Sequence, residues 1–532
     1  MRIITLVIAV FLGLMADGTR DSYMEDQRAL NLIGAGDETE SVGFTPFWLL
    51  ACHAGATILA GLGFLSVLVL GKRNWGQVLA LTLVCLGIAL AWLPSDLVSN
   101  VSNLELSKVG EDPAPWTYFV KLVLIAFLVL SPPILLWAYY AGPILDRYVI
   151  RGVVSPLALS FLGLVGIWVI MDLTDNGKVF FTEEGFSLLG RYYLVQLPQI
   201  VLLVLPITLL LSLLFSLGKM SKSNELISML GAGLSMGRVL KPLFVAGFYC
   251  TLLCIVLNYD WAPRAEAHKE GILNRLQDAL NDKEKGRERK KSGEDEWAAL
   301  AWMYRNSMDQ RTWFVGRVPV DLANAPMRYV AVWAQADDNR VMYTIRADSA
   351  YWNHQTKVWT FRKARIWEYD IHGTPKVSFF PILTKEDWNE TPWHVVSSSY
   401  KAEFLGIPGL TSYLRTNREL PPNKLAPYWT HWHYSWAEPF RCFFIVLMAA
   451  PLGIVHSRKG ILGGVTASIL IFFALIFFDS VFLALAEGAR LKSWVGAWGP
   501  NIGLGVIGAI LFWARANNKE LPKFKNLFSK TA

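Results

Sequence analysis

Charge is scarce in this chain: 17% of its 532 residues are charged, where soluble proteins carry about a quarter. The residues that replace the charges come in long apolar blocks, which excludes an ordinary soluble domain. Cysteine is scarce as well. The five (Cys52, Cys85, Cys250, Cys254, Cys442) all lie inside apolar blocks and lack metal-ligand spacing, so they read as packing residues. There is no H-E-x-x-H motif. His431 and His433 flank Trp432 near a span entrance, where aromatic and histidine residues are commonplace at a lipid boundary, so no metal site is expected. GFSLLGRY at 185–192 has P-loop glycine spacing, but Arg191 stands where lysine belongs and no Ser or Thr follows. The chain therefore carries no recognisable nucleotide site, no bound cofactor is expected, and ATP-driven work would need a partner. GLSMG at 233–237 fits the nucleophile elbow of serine hydrolases, but its flanks read as helical and no histidine shares its loop, so the match is read as chance and no catalytic residue is assigned.

What the sequence does have is membrane spans. A span needs about 20 mostly apolar residues. Suitable runs lie at 45–70, 76–94, 117–141, 153–174, 192–217, 238–258, 433–456, 462–486 and 495–514. Residues 3–15 add a shorter run after Arg2, so residues 1–16 read as a signal peptide or a short anchor. Lys72 and Arg73; Arg147 and Arg151; Lys219, Lys222, Arg238 and Lys241; Arg458 and Lys459; and the basic tail 516–532 all fall on one side when the spans alternate. The positive-inside rule makes that side cytoplasmic, which accounts for the net charge of +7 without nucleic acid. Loops 17–44, 95–116 and 175–190 are richer in Asp and Glu. The spans read as almost free of ionisable groups, with Asp479 the main exception and Asp172 close to an outer end. A charge at mid-bilayer costs about 2.5–3.5 kcal/mol on insertion scales, so this emptiness favours a lipid path over a proton relay.

The polar region 259–432 lies on the opposite, external side. It opens with NDKEKGRERKKSGEDE, expected to be solvated. The runs RTWFVGRVPV, MRYVAVWAQA, RVMYTIRADSAYW, KVWTFRKARIWEYD and KVSFFPI then alternate apolar and polar residues between turn signals. They predict an antiparallel β domain, a sandwich or jelly roll. The expected fold is a polytopic α-helical membrane protein with an inserted antiparallel, jelly-roll-like β domain. Its parts are an N-terminal membrane extension of about three spans (17–144), core spans one to three (145–258), the β domain (259–432), core spans four to six (433–515) and the tail.

Between the second and third core spans, residues 218–242 read GKMSKSNELISMLGAGLSMGRVLKP. Ser221 or Ser223 is placed to cap a helix, Glu225 lies near its positive end, and Leu226, Ile227, Met229 and Leu230 supply apolar contacts. On physical grounds this is either a docking helix for a partner or an interfacial helix lying on lipid.

The plan of three spans, a β domain and three spans, with LDRYVIRGVVSPL opening the first core span, QLPQIVLLVLPITLLLSLLFSLGKMSKSNELISMLGAGLSMGRVLKP, NYDWAPRA, IRADSAYWNHQTKVWTFRKARIWEYD, WAEPF and APLGI, resembles the lipopolysaccharide-export permease family (LptF/LptG type) over about residues 145–515. Residues 1–140 lie outside the resemblance, and nothing in them chooses between recruiting a partner, standing in for an accessory subunit, and regulation. The resemblance implies a bacterial inner-membrane subunit of an ABC transporter, with a periplasmic domain and with ATP hydrolysed by a separate cytoplasmic ATPase dimer. It implies a second homologous permease subunit, a single-span periplasmic accessory protein and a periplasmic β bridge as further partners, with lipopolysaccharide as cargo. It makes 218–242 a coupling helix, with Ser223, Asn224, Glu225, Leu226, Leu230, Gly233 and Ser235 at the ATPase. Lys178 and Arg191 are expected near a lateral gate, either against lipid phosphates or as headgroup anchors. The tryptophans of the β domain fit either a sandwich core or an acyl-sheltering groove. A membrane enzyme would need a cluster of Asp, Glu, His or Ser at one membrane face, and none is evident. A sensor or structural protein with a ligand-binding β domain stays open as the alternative.

Overall fold

The computed structural model describes residues 2–33, 47–70, 74–104, 112–180, 183–266, 268–269, 272–273, 276–277, 297–306, 309–319, 325–336, 340–353, 356–369, 374–386, 388–397, 401–418, 420–453 and 461–517. The loop cations Lys72, Arg73, Arg458 and Lys459, the charged stretch 281–296 and the tail beyond 517 lie outside them.

The helices are α1 (Arg2–Ile33), α2 (Phe47–Leu70), α3 (Asn74–Leu104), α4 (Pro115–Ala141), α5 (Ile144–Asp175), α6 (Gly177–Phe180), α7 (Glu183–Lys222), α8 (Glu225–Gly231) and α9 (Met236–Val256), which runs into a π-helical turn at Leu257–Trp261. After the strands come α10 (Pro392–Ser397), α11 (Ile407–Thr416), α12 (Pro422–Ala437), α13 (Arg441–Gly453), α14 (Ile461–Glu487) and α15 (Ser493–Ala516). Among the described residues nine helices are long and apolar enough to cross a membrane, and each overlaps a run read from the sequence. The seventh starts at Pro422, ahead of the expected 433.

α7 is apolar on all sides and is correspondingly buried. Leu209, Leu210, Leu213 and Leu217 pack against Leu240 and Leu243 of α9, Ile445 and Val446 of α13, and Val149 and Val153 of α5. Lipid tails are as apolar as leucine, so such packing depends on close approach. At Gly247 an added Cβ would overlap Val446. α5 differs: Val149, Val153 and Asp172 are its buried residues, and most of its apolar surface is open. In the extension, α1 lies along α2, with Leu12 against Ala56, Ala60 and Ala91. The buried His53 ring joins three helices there, 2.7 Å from the Thr19 hydroxyl, 2.9 Å from that of Ser95 and 3.1 Å from the Ala91 carbonyl.

The strands are β1 (Trp297–Asn306), β2 (Arg311–Pro319), β3 (Met327–Gln335), β4 (Val341–Asn353), β5 (Val358–Tyr369) and β6 (Pro375–Lys385). Each pairs antiparallel with its sequence neighbour in a single six-stranded sheet. The β domain is therefore present. Among the described residues it is a meander, without the crossovers of the expected jelly roll. β1 was not anticipated, because WAALAWMYRN lacks strict alternation.

Alternation breaks once in each of β2 to β5, at positions that face one another. The buried residues run Val315 then Val318, Met327 then Val330, Ala347 then Ala350, and Phe361 then Ala364. Register is the same on both sides of the break: Arg346 pairs with Arg365 and Ser349 with Arg362, and Arg362 pairs with Ile382 and Ala364 with Phe380. No residue is inserted. Instead Tyr329 (φ 55°) and Lys363 (φ 52°) take left-handed backbone, which lets two successive residues face outward before the strand resumes. That conformation costs an L-residue about 1–2 kcal/mol, and more for a β-branched one. Lys363→Val is expected to lower the thermal midpoint of the chain and Lys363→Gly to leave it unchanged or raise it. Equal midpoints for the two variants would refute the strain.

The inward face of the sheet is filled. Trp313 lies 4.8 Å from Trp359 and 5.3 Å from Trp388, ring centre to ring centre. Val395 and Val396 of α10 close the cluster. Buried Glu390 accepts from the Arg311 guanidinium at 2.7 and 2.9 Å, and its backbone carbonyl accepts from Trp359 Nε1 at 2.6 Å. Burial, with the Glu390 and Asp309 carboxylates adding to it, pushes the Tyr304 phenol up to about 12. Of the two readings left open for the tryptophans, this face is a core.

Candidate functional site

The segment between α7 and α9 folds differently from its expected capping. The Ser223 hydroxyl donates back to the carbonyls of Lys219 and Met220, closing the end of α7. Asn224 occupies the N-cap position of α8 in left-handed backbone (φ 60°), and its side chain makes no cap bond. Ser235 is a true N-cap, but of α9: its oxygen accepts from the Arg238 amide at 3.3 Å. Gly233, at φ +87°, makes the turn between the two helices, a backbone that favours glycine.

The seven-residue α8 is held against the membrane core at two points, and the start of α9 at a third. Leu226 is 2% exposed and packs into the cluster around α7. Glu225 accepts a 2.7 Å bond from the Tyr148 hydroxyl of α5. Arg238 pairs with Asp146 of α5 at 2.7 Å. Among the described side chains, Ser223, Asn224, Ser228, Gly231, Gly233 and Ser235 stand outward and are small or polar, with Leu230 half-buried. Of the expected docking residues, Leu226 is thus an internal anchor and cannot meet a partner, whereas the polar and glycine positions are accessible.

At the opposite end, Lys178 is exposed on α6 beside the buried Val179 and Phe180. Arg191 belongs to α7. Nearby, the Tyr192 hydroxyl donates to buried Asp172 at 3.1 Å, and Phe180, Tyr192 and Leu276 pack together. Asp172 is therefore a local hydrogen-bond acceptor at this helix junction.

The expectation of nearly charge-free spans needs correcting. Arg441, 8% exposed, forms a buried ion pair with Asp479, 9% exposed. Arg441 also meets the Tyr434 hydroxyl, and Asn258 of the π-helical turn donates to Glu438 at 3.3 Å and to the Ser435 carbonyl at 3.0 Å. His431 sits 2.8 Å from Glu487, whereas His433 lies beside the Trp429 and Trp432 rings, so the two histidines face different partners. A second cluster joins the extension to the core. Lys121 of α4 lies 2.7 Å from Asp96 of α3 and 3.0 Å from Asp260 of the π-helical turn, and Asp260 pairs with Arg264 at 2.8 Å. The sequence signal for both clusters was a lone cation inside an apolar run.

A model of the family described as lipopolysaccharide export system permease LptF/LptG matches residues 147–514. Among curated proteins, none matches the chain.

Proposed function

The chain belongs to the LptF/LptG family of lipopolysaccharide export permeases, and from that premise we propose that it is one of two paired permease subunits of an ATP-driven exporter in a bacterial inner membrane. A cytoplasmic ATPase dimer would pull on α8. Lipopolysaccharide would enter beside α5 and leave through the β domain, placed on the periplasmic side, towards an accessory protein and a β bridge. Drawing acyl chains out of a bilayer costs about 0.8 kcal/mol per exposed CH₂, so both shelter and ATP are needed.

The observation that carries the ATPase part is the geometry of α8. Among the described side chains its buried one is Leu226, and the exposed positions are Ser228 and Gly231, with Asn224 exposed at the N-cap. An interfacial helix would turn apolar residues to lipid; a small polar face suits close packing in a protein groove. The exposed apolar surface of α5 suits a lipid path or the second permease subunit. Lys178 and Arg191 are proposed to meet lipid phosphates at that end.

The native chain, solubilised in mild detergent, is expected to bring down an ATPase subunit, and Glu225→Arg to lose it by about tenfold or more, in line with a buried charge mismatch at an interface. Tyr148→Phe, which removes only the internal hydrogen bond to Glu225, is expected to keep it. Retention by Glu225→Arg would remove the coupling role. Absence of any ATPase from the native chain would move the reading to a membrane-anchored sensor.

A further inference from the structure

The helices ahead of the family match carry a cleft of their own. It opens between α3 and α4, at the end that the positive-inside rule makes cytoplasmic, and holds about 470 Å³. Asn74, Trp75 and Val78 line it from the start of α3, and Trp137, Tyr140 and Ala141 from the end of α4. Helical spacing brings each set to one face, since Val78 follows Trp75 by three residues and Tyr140 follows Trp137 by three. Trp75 is 73% exposed and Trp137 49%. Tyr140 is fixed instead. Its hydroxyl donates to Gln77 Oε1 of α3 at 2.7 Å, and the Tyr139 ring stands edge-on to it at 5.6 Å. Two open indoles thus stand beside an anchored phenol.

Trp and Tyr are common at a lipid boundary, but a belt spreads around a protein, whereas these rings converge from two helices on one cleft. Aromatic walls attract a cation through their π faces. Among the described residues that line the cleft none is charged, so an ion pair is not what would hold that cation. The helix ends add a direction. α4 finishes here with no basic residue in its last turn, and its final carbonyls form a negative pole. α3 begins here with no acidic residue in its first turn, and its first amides form a positive pole. A head carrying an ammonium and a phosphate a few atoms apart matches both poles, and an anionic head matches only the start of α3. One turn deeper in the membrane, Ile134 is 62% exposed and continues the wall of Trp137 in hydrocarbon, which favours a lipid over a soluble ammonium compound.

We propose that this cleft binds a zwitterionic phospholipid of the cytoplasmic leaflet, with its ammonium between the two indoles and the end of α4 and its phosphate at the start of α3. Lys72 and Arg73 precede α3 outside the described residues and form no part of the site. The cleft lies outside residues 147–514, so the proposal stands apart from the permease reading. α4 passes through Gly142 and Pro143 into α5, whose Asp146 and Tyr148 hold Arg238 and Glu225. A lipid in the cleft therefore sits at the foot of the segment between α7 and α9.

The full chain, purified in mild detergent, is offered phosphatidylethanolamine, phosphatidylcholine and phosphatidylglycerol in equal amounts, and the retained lipid is identified by native mass spectrometry. Both zwitterionic lipids are expected to be retained about tenfold over phosphatidylglycerol, the scale of two cation–π contacts. Trp75→Ala/Trp137→Ala is expected to remove that preference, and Trp75→Phe/Trp137→Phe, which keeps two π faces, to preserve part of it. If the alanine pair fails to accumulate, Ala141→Lys at an exposed position sets a cation at the end of α4 and must remove the preference equally. Equal retention of the three lipids, or a preference indifferent to the indoles, would show ordinary boundary lipid and overturn the proposal. A preference for phosphatidylglycerol would reduce the cleft to a phosphate site and overturn it as well. Retention of phosphatidylethanolamine without phosphatidylcholine would put the ammonium in hydrogen bonds rather than on the rings, and the aromatic walls would lose their assigned role.

Discussion

Lys121→Met is expected to be among the most damaging single substitutions in the chain. The Lys121 ammonium lies between Asp96 and Asp260, and all three are buried, at 5%, 9% and 2% exposure. Removing the cation leaves Asp96 buried without a cation and Asp260 with only the partly exposed Arg264, a change that costs about 3–5 kcal/mol when one partner of a buried ion pair is lost. Replacing the three buried members should be far milder, because neutral groups stand in for buried ions with little net loss and Arg264, whose side chain is 43% exposed, stays solvated. The measurement is the thermal midpoint of the intact chain in detergent, by loss of its size-exclusion peak, for Lys121→Met and for Asp96→Asn/Lys121→Met/Asp260→Asn. The single variant should fall well below the triple. If the triple is the worse of the two, the side chains contribute independently and no triad exists.

The cluster matters because it lies where the extension meets the permease core. Around it, the Tyr259 hydroxyl donates to the Thr117 carbonyl at 2.8 Å, and Trp92 stacks on Trp261 with ring centres 4.7 Å apart and planes at 11°. Gly406 approaches so closely that an added Cβ would lie 2.8 Å from the Asp260 Cα. Arg415 of α11 reaches Asp112, just ahead of α4, at 3.0 Å. The helices outside the family match are thus mated to the third core span at the turn where the chain leaves the membrane. A buried ion set adds little net stability, but it selects one mating of the helix faces over others.

Periodicity over long segments was readable from the sequence, and pairing between distant segments was not. The apolar runs located the spans because lipid demands about 20 apolar residues whatever surrounds them. Strands β2 to β6 were legible from alternation. β1 was missed because WAALAWMYRN carries neighbouring apolar residues. The break in alternation stayed hidden because no composition rule foresees left-handed backbone at Tyr329 and Lys363. Between the second and third core spans the expected helix over 218–242 divides into the end of α7, the short α8 and the start of α9, and its cap differs, since a serine near a helix start is as able to close the preceding helix as to open the next. Lys121 and Arg441 were in view as letters, yet their carboxylate partners lie far along the chain. Inside an apolar run, a lone cation is itself the sign that a partner exists.

Arg441→Met is the second substitution with a large expected effect, and it separates packing from mechanism. Arg441 opens α13 just after the 3₁₀ turn Glu438–Phe440, where Pro439 contributes no amide donor. Its guanidinium holds Asp479 of α14. Loss of the cation strands that carboxylate, with Glu438 nearby, and should again cost about 3–5 kcal/mol. Arg441→Met/Asp479→Leu removes the charges in step and should restore most of the thermal midpoint. Export is the second readout. If the pair only fills space, the double variant folds and supports growth. If α14 must stay tethered to α13 for cargo to pass, the double variant folds, retains the ATPase and fails to export. A double variant no more stable than Arg441→Met would show that the arginine acts through Tyr434 and the aromatic packing around it, and the ion pair would lose its part in both accounts.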